Sequence, residues 1–250
     1  MTTDSAEILA EWIRQAQKIV FFGGAGTSTE SGIPDFRSAG GLYDSGQSEF
    51  PYSPEDMLSR EFFYGETEMF YRFYRSRMVY PQAEPNHMHR LLADLENSGK
   101  LNAVITQNID GLHQKAGSRR VLEVHGSVLR NTCTSCGAAY DLDAVMGDAA
   151  IPVCPKCGGL LKPDVVLYGE MLDSAVLEAS VQAIEEADLM IVGGTSLTVQ
   201  PAASLVGMFT GGHLALLNRT PTPYDSHADL LVTESMGAVA ERVRHLLGYL

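Results

Sequence analysis

Residues 18–28 read KIVFFGGAGTS, and this stretch decides the fold class. Its first part, Lys18–Phe22, is β-branched and aromatic and predicts a short buried strand. The sequence that follows predicts a glycine turn and the start of a helix, which together form the opening unit of a Rossmann-like domain. Gly24 and Gly26 let the backbone approach a pyrophosphate, and N–H groups at a helix N-terminus stabilise its charge.

The glycine turn departs from the dehydrogenase fingerprint in two ways. Thr29 stands three residues after Gly26, where that fingerprint has a third glycine. No second strand supplies the ribose-binding acid expected about 20 residues later. An ordinary NAD dehydrogenase is therefore disfavoured, and a plain strand-to-helix turn stays open as the alternative.

Strand and helix patterns alternate along the rest of the chain. Apolar runs predict strands at Ala103–Thr106, Asp164–Leu167, Leu189–Gly193, Leu214–Leu217 and Leu230–Val232. Amphipathic periodicity predicts helices at residues 5–17, 87–98, 174–186, 199–209 and 236–247. This alternation predicts an α/β fold, with a Rossmann-like parallel sheet covered by helices on both faces.

Two segments interrupt the alternation. Residues 38–86 are rich in Tyr, Phe, Pro and Gly, with helical pieces around 55–60 and 66–79, and residues 130–162 contain the four cysteines. We therefore expect a Rossmann-like domain made of residues 1–37, 87–129 and 163–250, a helical module at 38–86 and a zinc-binding module at 130–162.

The cysteines form two Cys-x2-Cys pairs separated by 17 residues: Cys133, Cys136, Cys154 and Cys157. Thiolates bind Zn²⁺ tetrahedrally, and this spacing is typical of a zinc ribbon. Disulfides are the alternative, which a cytosolic location disfavours. Because every ligand position is a cysteine, the sequence predicts one structural zinc ion and no open catalytic position.

Composition excludes other classes of protein. The 250 residues include 18 Lys+Arg and 31 Asp+Glu, a net charge of −13, whereas a nucleic-acid scaffold usually presents a basic face. The N-terminal residues lack the features of a signal peptide, and no apolar run approaches the ~20 residues of a membrane span. We therefore expect a cytoplasmic protein that binds neither nucleic acid nor membranes.

Two loops carry side chains suited to a nucleotide. Residues 32–38 read GIPDFRS and place Asp35, Phe36 and Arg37 together, where a guanidinium can pair with phosphate and an aromatic ring can cover a flat ring. Asn108 and Asp110 follow a predicted strand, and their donors and acceptors suit a carboxamide. An Asx-turn leading into a helix is the structural alternative for this second loop.

Three further positions follow apolar runs. His125 comes after one such run, and an imidazole there can serve as a general base. Residues 193–197 read GGTSL and offer hydroxyl and N–H groups to a phosphate or ribose. Asn218 ends the next predicted strand, where a ribose can be held. The other histidines lack comparable neighbours and are expected to be structural or at the surface.

Together these segments resemble the sirtuins, a family of NAD-dependent protein-lysine deacylases, and most of all its compact bacterial members. The resemblance extends from about residue 19 to 221, in the family's order and spacing. It rests on residues 24–28, 32–37, 106–113, 125–126, the two cysteine pairs, 162–170 and 194–197.

The resemblance implies NAD as co-substrate, one zinc ion, acyl-lysine proteins as substrates and a monomeric enzyme. His125 would act as base on a ribose hydroxyl, while Asn108 and Asp110 hold the carboxamide. The implied cofactor-binding residues are Gly24, Ala25, Gly26, Thr29, Asp35, Phe36, Arg37, Gln107, Asn108, Asp110, Gly194, Thr195, Ser196, Asn218, Met236 and Gly237. The implied acyl-lysine slot consists of Val166, Tyr168, Gly169 and Glu170. The implied products are nicotinamide, free lysine and O-acyl-ADP-ribose.

Departures from the family pattern bear on the acyl group. The family usually has Phe where Tyr168 stands. Its desuccinylating members carry a Tyr-x-x-Arg pair, and aligning Phe70-Tyr71 with that pattern puts Tyr74 at the Arg position. An alignment with a one-residue gap offers Tyr74 with Arg77 instead. Those members also tend to lack Asp35, so we expect removal of acetyl and other neutral acyl groups.

Two alternatives remain at the level of sequence. A protein ADP-ribosyltransferase can use the same scaffold, although transferase-type members tend to lose the histidine that stands here at position 125. A zinc-ribbon nucleic-acid binder without enzymatic activity is the other alternative. The net charge of −13 and the carboxamide-binding loop count against it.

Overall fold

A computed structural model of the chain describes residues 4–36, 41 and 50–250. Its strands, numbered along the chain, are β1 (Ile19–Gly23), β2 (Leu101–Thr106), β3 (Val121–Glu123), β4 (Gly126–Cys133), β5 (Ala139–Asp141), β6 (Leu161–Val165), β7 (Leu189–Gly193), β8 (His213–Leu217) and β9 (Leu230–Val232). Its helices are α1 (Ser5–Gln15), α2 (Pro54–Met57), α3 (Arg60–Gly65), α4 (Thr67–Arg77), α5 (His87–Asn97), α6 (Leu112–Ala116), α7 (Asp143–Met146), α8 (Ser174–Glu185) and α9 (Met236–Leu247). Short 3-10 turns occupy Ala25–Thr27, Thr29–Ser31, Ala202–Met208 and Asp225–His227.

The main sheet has six parallel strands in the order β3-β2-β1-β7-β8-β9. Successive side chains of β1 pack in the two hydrophobic cores on opposite faces of the sheet, because successive residues of a strand point to opposite faces. Ile19 and Phe21 pack with α1, α5 and α9, whereas Val20 and Phe22 pack with α8 and the turn at Ala202–Met208. The predicted Rossmann-like parallel sheet, with helices on both faces, is confirmed.

The two segments that interrupt the alternation pack on each other. α2, α3 and α4 share one hydrophobic cluster with β4 and β6 of a three-stranded antiparallel sheet. The hydroxyl of Tyr71 on α4 donates to the carbonyl oxygen of Leu161 on β6. Phe63 and Phe70 meet edge to face in the same cluster, with ring centroids 4.9 Å apart. The domain boundaries drawn from the sequence stay predictions.

The structure corrects three elements predicted from sequence. The helix start predicted after the glycine turn is replaced by two short 3-10 turns, Ala25–Thr27 and Thr29–Ser31. The strand predicted at Asp164–Leu167 is not part of the parallel sheet, because its residues 164 and 165 belong to β6, which pairs antiparallel with β4. A short apolar run does not reveal which sheet it joins. The helix predicted at residues 199–209 is the shorter 3-10 turn Ala202–Met208, which follows Pro201.

No helix in the part of the chain that the structure describes combines the length and apolar character needed to cross a bilayer.

Candidate active site

A cavity of about 950 Å³ lies at the carboxyl ends of the central parallel strands. The loops that follow β1, β2, β7 and β8 contribute residues 24–26, 28–30, 33–36, 107–110, 194–196, 199–201 and 218–220 to its lining. Because parallel strands all end at one edge of a sheet, these loops meet although they are far apart in sequence. Residues 165–172 close another side of the cavity. Its volume suits a ligand of nucleotide size, since small-molecule pockets measure about 300–1,000 Å³.

Two glycine turns touch at the centre of this cavity. The N–H of Gly26 donates to the carbonyl oxygen of Gly194 across 2.8 Å. A Cβ on Gly26 would lie 2.7 Å from the Cα of Gly194, and one on Gly194 would overlap the backbone nitrogen of Thr27. Gly194 also has a φ of +61°, which favours glycine. Glycine is therefore required at both positions for the two turns to approach each other.

This close approach leaves backbone donors without acceptors. The N–H groups of Ala25, Thr195 and Ser196 line the cavity and donate to no other described residue. Unpaired backbone N–H groups in a partly buried site need water or a ligand, and several together form an anion site. This donor set fits the pyrophosphate of a dinucleotide.

A serine joins the two predicted carboxamide-binding residues. The hydroxyl of Ser28 donates to Oδ2 of Asp110 across 2.6 Å and accepts from Nδ2 of Asn108 at 3.0 Å. Oδ1 of Asp110 accepts from the N–H of Leu112 at 2.8 Å. Burial raises the pKa of Asp110, and the hydrogen bond from Ser28 opposes that rise. Ser28 lies within the predicted glycine turn, but nothing in the local sequence marks it as a site residue.

His125 lies in the same cavity, and one of its two ring nitrogens makes a hydrogen bond. Its Nδ1 is 3.0 Å from the carbonyl oxygen of Gln107. Gln107 also donates from Nε2 to the hydroxyl of Thr195 at 3.0 Å, which connects the loops after β2 and β7. Burial lowers the pKa of His125, partly offset by the bond to Gln107. The neutral imidazole is therefore favoured, with Nε2 able to accept a proton.

Residues 166–170, which we call the substrate loop, run along one wall and end in a turn from Leu167 to Glu170. The N–H of Val166 donates to the carbonyl oxygen of His125 at 3.0 Å. Tyr168 pairs with the segment before α3, donating to the carbonyl of Leu58 and accepting from the N–H of Arg60. Oε2 of Glu170, which also lines the cavity, accepts from Lys162 and from the N–H of Leu167.

The structure brings nearly all the sequence-predicted site residues to this one cavity. Besides those above, its lining includes Gly24, Thr29, Asp35, Phe36, Gly169, Asn218 and Met236. Gly237 is not part of the lining; its N–H donates to Oε1 of Glu30, which is. Arg37 lies outside the described residues. The lining also includes Arg77, which the gapped alignment offered as an acyl-binding arginine. Lining residues that the sequence did not assign include Glu30, Tyr80, Met171 and Arg219. Arg219 adjoins an assigned residue, whereas Tyr80 carries no local signal.

The four cysteines cluster away from the cavity. Cys133 and Cys157 have their Sγ atoms 3.5 Å apart, Cys136 and Cys154 have theirs 3.7 Å apart, and all four Sγ atoms lie within 4.8 Å of one another. Four thiolates at Zn–S distances of ~2.3 Å lie about 3.8 Å apart in a tetrahedron. The four cysteines form no disulfide. The cluster therefore fits one structural zinc ion, which would hold the two turns of the small sheet.

A Rossmann-like body with paired glycine turns and a separate thiolate cluster defines a dinucleotide-binding α/β protein with a zinc module. Residues 24–201 match the Sir2 family. A protein of Clostridium acetobutylicum named NAD-dependent protein deacetylase is 53% identical over 241 residues, covering 96% of this chain and 98% of that protein. The chain belongs to the Sir2 family.

Solved structures of Sir2 proteins share this fold over nearly the full length of the chain. One, with a p53 peptide and NAD+, has a TM-score of 0.87 at 38% identity and covers 99% of this chain and 100% of its own. Another, a variant with deacetylated p53 peptide and 3′-O-acetyl-ADP-ribose, has a TM-score of 0.88 at 37% identity and covers 97% and 98%.

Proposed function

We propose that this protein removes acetyl groups, and other neutral acyl groups, from lysine side chains of proteins, with NAD as co-substrate. The products are nicotinamide, O-acyl-ADP-ribose and free lysine. The observation that carries the proposal is the position of His125. It lies in one cavity with an anion site, a carboxamide site and the substrate loop, and its Nε2 is left unprotonated. Relatives named NAD-dependent protein deacetylase support this activity.

The chain binds the dinucleotide through its two glycine turns. The free N–H groups of Ala25, Thr195 and Ser196 hold the pyrophosphate, and Asn218 at the end of β8 holds the adenosine ribose. NAD, when bound, supplies a ribose whose C1′ carries nicotinamide as leaving group. Because no described Lys side chain lines the cavity, backbone donors supply much of the binding to phosphate.

Asn108 and Asp110 hold the nicotinamide end. Asp110 offers acceptors to a carboxamide NH₂, and the Oδ1 of Asn108 offers a further acceptor. Ser28 fixes both side chains through its two hydrogen bonds, which restricts their rotamers before any ligand enters. We therefore infer that Ser28 positions this pair.

His125 acts as the general base. Its Nδ1 donates to the carbonyl of Gln107, so the ring orientation and tautomer are set by a backbone atom. With NAD and an acyl-lysine bound, Nε2 would accept the proton of a ribose hydroxyl, which would make that oxygen a nucleophile toward the acyl carbon. Gly126 follows the base with a φ of +76°, and a Cβ there would overlap the carbonyl oxygen of Asp164. Glycine at this position lets β4 begin directly after the catalytic residue.

The substrate loop binds the peptide beside the base. The carbonyl oxygen of Val166 accepts no hydrogen bond from the described residues, although Val166 lines the cavity. An extended peptide can donate to it by strand addition, which brings an acyl-lysine toward His125. Sir2 structures that contain p53 peptides support a protein or peptide substrate.

The proposal also includes the oligomeric state, the location and the binding partners of the enzyme. We propose that the enzyme acts as a monomer in the cytoplasm and binds neither nucleic acid nor membranes, which its net charge of −13 supports. Light scattering after gel filtration tests the monomer, with a mass near 27.1 kDa expected.

Mass spectrometry of an acetyl-lysine peptide tests the main proposal. Loss of the acetyl group only with NAD, together with nicotinamide and O-acetyl-ADP-ribose, supports deacetylation. An unchanged peptide, with nicotinamide release and ADP-ribose attached to protein, contradicts it and favours the ADP-ribosyltransferase. Folded, zinc-loaded protein that yields neither set of products also contradicts it.

A further inference from the structure

The ammonium group of Lys162 contacts three oxygen atoms beside the substrate loop. Its Nζ lies 3.0 Å from Oε2 of Glu170, 3.1 Å from the carbonyl oxygen of Val165 and 3.2 Å from that of Pro163. An ammonium has three N–H donors, so these contacts use all of them. The side chains of Lys162 and Glu170 are only 17% and 21% exposed. The ion pair is therefore held in one geometry, unlike a solvated surface pair.

Glu170 in turn closes the substrate loop. Its Oε2 accepts from the N–H of Leu167 at 2.9 Å, and its own N–H donates to the carbonyl oxygen of Leu167 at 2.9 Å. Gly169, within this turn, has a φ of +86°. One carboxylate oxygen thus receives both a backbone donor and the Lys162 ammonium, and such charge-assisted bonds are the stronger kind.

Lys162 connects this turn to two other parts of the molecule. It lies on β6, where its register partner on β4 is Thr132, next to Cys133. Its Nζ is also 6.0 Å from the ring centroid of Phe63 on α3. The small sheet, the helical module and the substrate loop therefore meet at one ammonium group.

We propose that Lys162 and Glu170 form a clamp that positions the substrate loop for the peptide, with Glu170 acting through this loop and not by contact with the acyl-lysine. The inference rests on the proposed function, since it assigns the loop to the peptide. The clamp lies on residues separate from the glycine turns at Gly26 and Gly194. Its loss therefore weakens peptide binding and leaves nucleotide binding intact.

Variants Lys162→Met, Glu170→Gln and the double variant test the clamp by steady-state kinetics at saturating NAD. Lys162→Met removes the ammonium and Glu170→Gln removes the negative charge, so each single variant loses the charge-assisted contact. Each is expected to raise the KM for an acetyl-lysine peptide about tenfold or more, as the loss of a charged hydrogen-bond partner does. The double variant is expected to be no worse than either single one, because the two side chains act as a unit. The Kd for ADP-ribose, measured by calorimetry, and the zinc content stay unchanged.

Lys18→Met is the matched control. Its Nζ also lies 3.0 Å from a carboxylate, that of Glu186, but both side chains are more exposed and lie at the amino end of β1. This variant is expected to keep the wild-type peptide KM. An unchanged peptide KM in Glu170→Gln overturns the clamp. Equal losses of peptide and ADP-ribose affinity with a lowered Tm overturn it too, because they indicate a general structural role.

Amide hydrogen exchange tests the clamp without turnover. In Glu170→Ala the N–H of Leu167 loses its acceptor, so faster exchange confined to residues 166–170 is expected. That result supports the clamp even if the wild-type protein fails to deacetylate a peptide, in which case only the proposed function fails. Unaltered exchange in this loop overturns the clamp whatever the activity.

Discussion

The Nδ1 atom of His125 lies 3.0 Å from the backbone carbonyl oxygen of Gln107. A carbonyl oxygen only accepts hydrogen bonds, so Nδ1 carries the proton and Nε2 keeps its lone pair. Gln107 follows β2 and His125 follows β3, the neighbouring strand, so the sheet brings the two together. This contact sets the tautomer of the imidazole before any substrate binds.

Replacement of His125 is expected to abolish most deacetylation. His125→Ala removes the base and should lower kcat by about 10²–10⁴-fold, the usual contribution of general base catalysis. Product analysis by mass spectrometry measures this effect, and any ADP-ribose transfer should survive. His245→Ala, at an exposed position, is the control with wild-type activity expected. Full activity in His125→Ala would contradict the assigned role.

The pH dependence of kcat/KM should show the lowered pKa of His125. The active form is the neutral ring, and burial lowers its pKa below the ordinary value of 6.5. Activity is therefore expected to persist from neutral pH down to 6.5 and to fall only below it. Asp110, whose pKa burial raises above 3.8, adds a further loss at lower pH. An acid midpoint above pH 6.5 would contradict this prediction.

Acetyl-lysine peptide is expected to be turned over much faster than succinyl-lysine peptide of the same sequence. Tyr74, at the position of the arginine in the ungapped alignment, is buried, and its hydroxyl has no hydrogen-bond partner among the described residues. A tyrosine there supplies no cation for a succinyl carboxylate. Competition between the two peptides, followed by mass spectrometry, gives the ratio of kcat/KM values. The reverse order would overturn this prediction and favour Arg77, which lines the cavity, as an anion-binding residue.

Removal of zinc should unfold the small sheet and not merely inhibit the enzyme. Structural zinc sites contribute free energy of folding directly, and thiolates without the ion repel one another. Treatment with a strong chelator is expected to lower the Tm and to release one zinc ion per chain, measured by elemental analysis. Cys136→Ser should show the same loss, whereas Ser135→Ala, in the same turn, should retain zinc. Unchanged Tm after complete zinc loss would refute the structural role.

Two buried histidines should make the fold sensitive to acid. His113 is fully buried, neither of its ring nitrogens has a partner among the described residues, and its ring lies 4.7 Å from that of His89. Burial lowers the pKa of His89 to about 4 and that of His113 well below 6.5.

The unfolded chain takes up protons at these two histidines as the pH falls through 6.5, whereas the folded chain does not. Stability is therefore full above pH 6.5 and falls below it, by about 1.4 kcal/mol per pH unit for each histidine. Urea unfolding at pH 7 and pH 5 measures the loss, which His113→Phe should reduce and the exposed His245→Gln should not. An equal loss in wild type and His113→Phe would exclude this origin.

Several predictions made from local sequence were confirmed by the structure. The run at residues 18–28 forms β1 and its glycine turn, although short 3-10 turns follow in place of the predicted helix start. Leu189–Gly193 forms β7 with the predicted bounds. The four-cysteine cluster forms as the spacing indicates. These features depend on residues close together in the chain, where periodicity and spacing carry the information.

Other features depend on contacts between distant residues. Periodicity assigned residues 164–167 to the wrong sheet, because pairing with β4 is decided by tertiary packing. The bridge from Ser28 to Asp110 joins loops 82 positions apart, so no local pattern reveals it. The family resemblance implies substrate contact for Glu170, which stays a prediction, whereas the hydrogen bonds of its Oε2 to Lys162 and Leu167 are visible only in the structure.

The sequence by itself determined the fold class, the zinc ligands and the set of loops from which the site is built. These features could be predicted because strand periodicity, turn glycines and paired cysteines are each defined by residues close together in the chain. Only the tertiary structure decided how those loops meet: Gly26 against Gly194, His125 against Gln107, and Lys162 against Glu170. Such contacts arise from the parallel sheet, which brings the ends of distant strands to one edge.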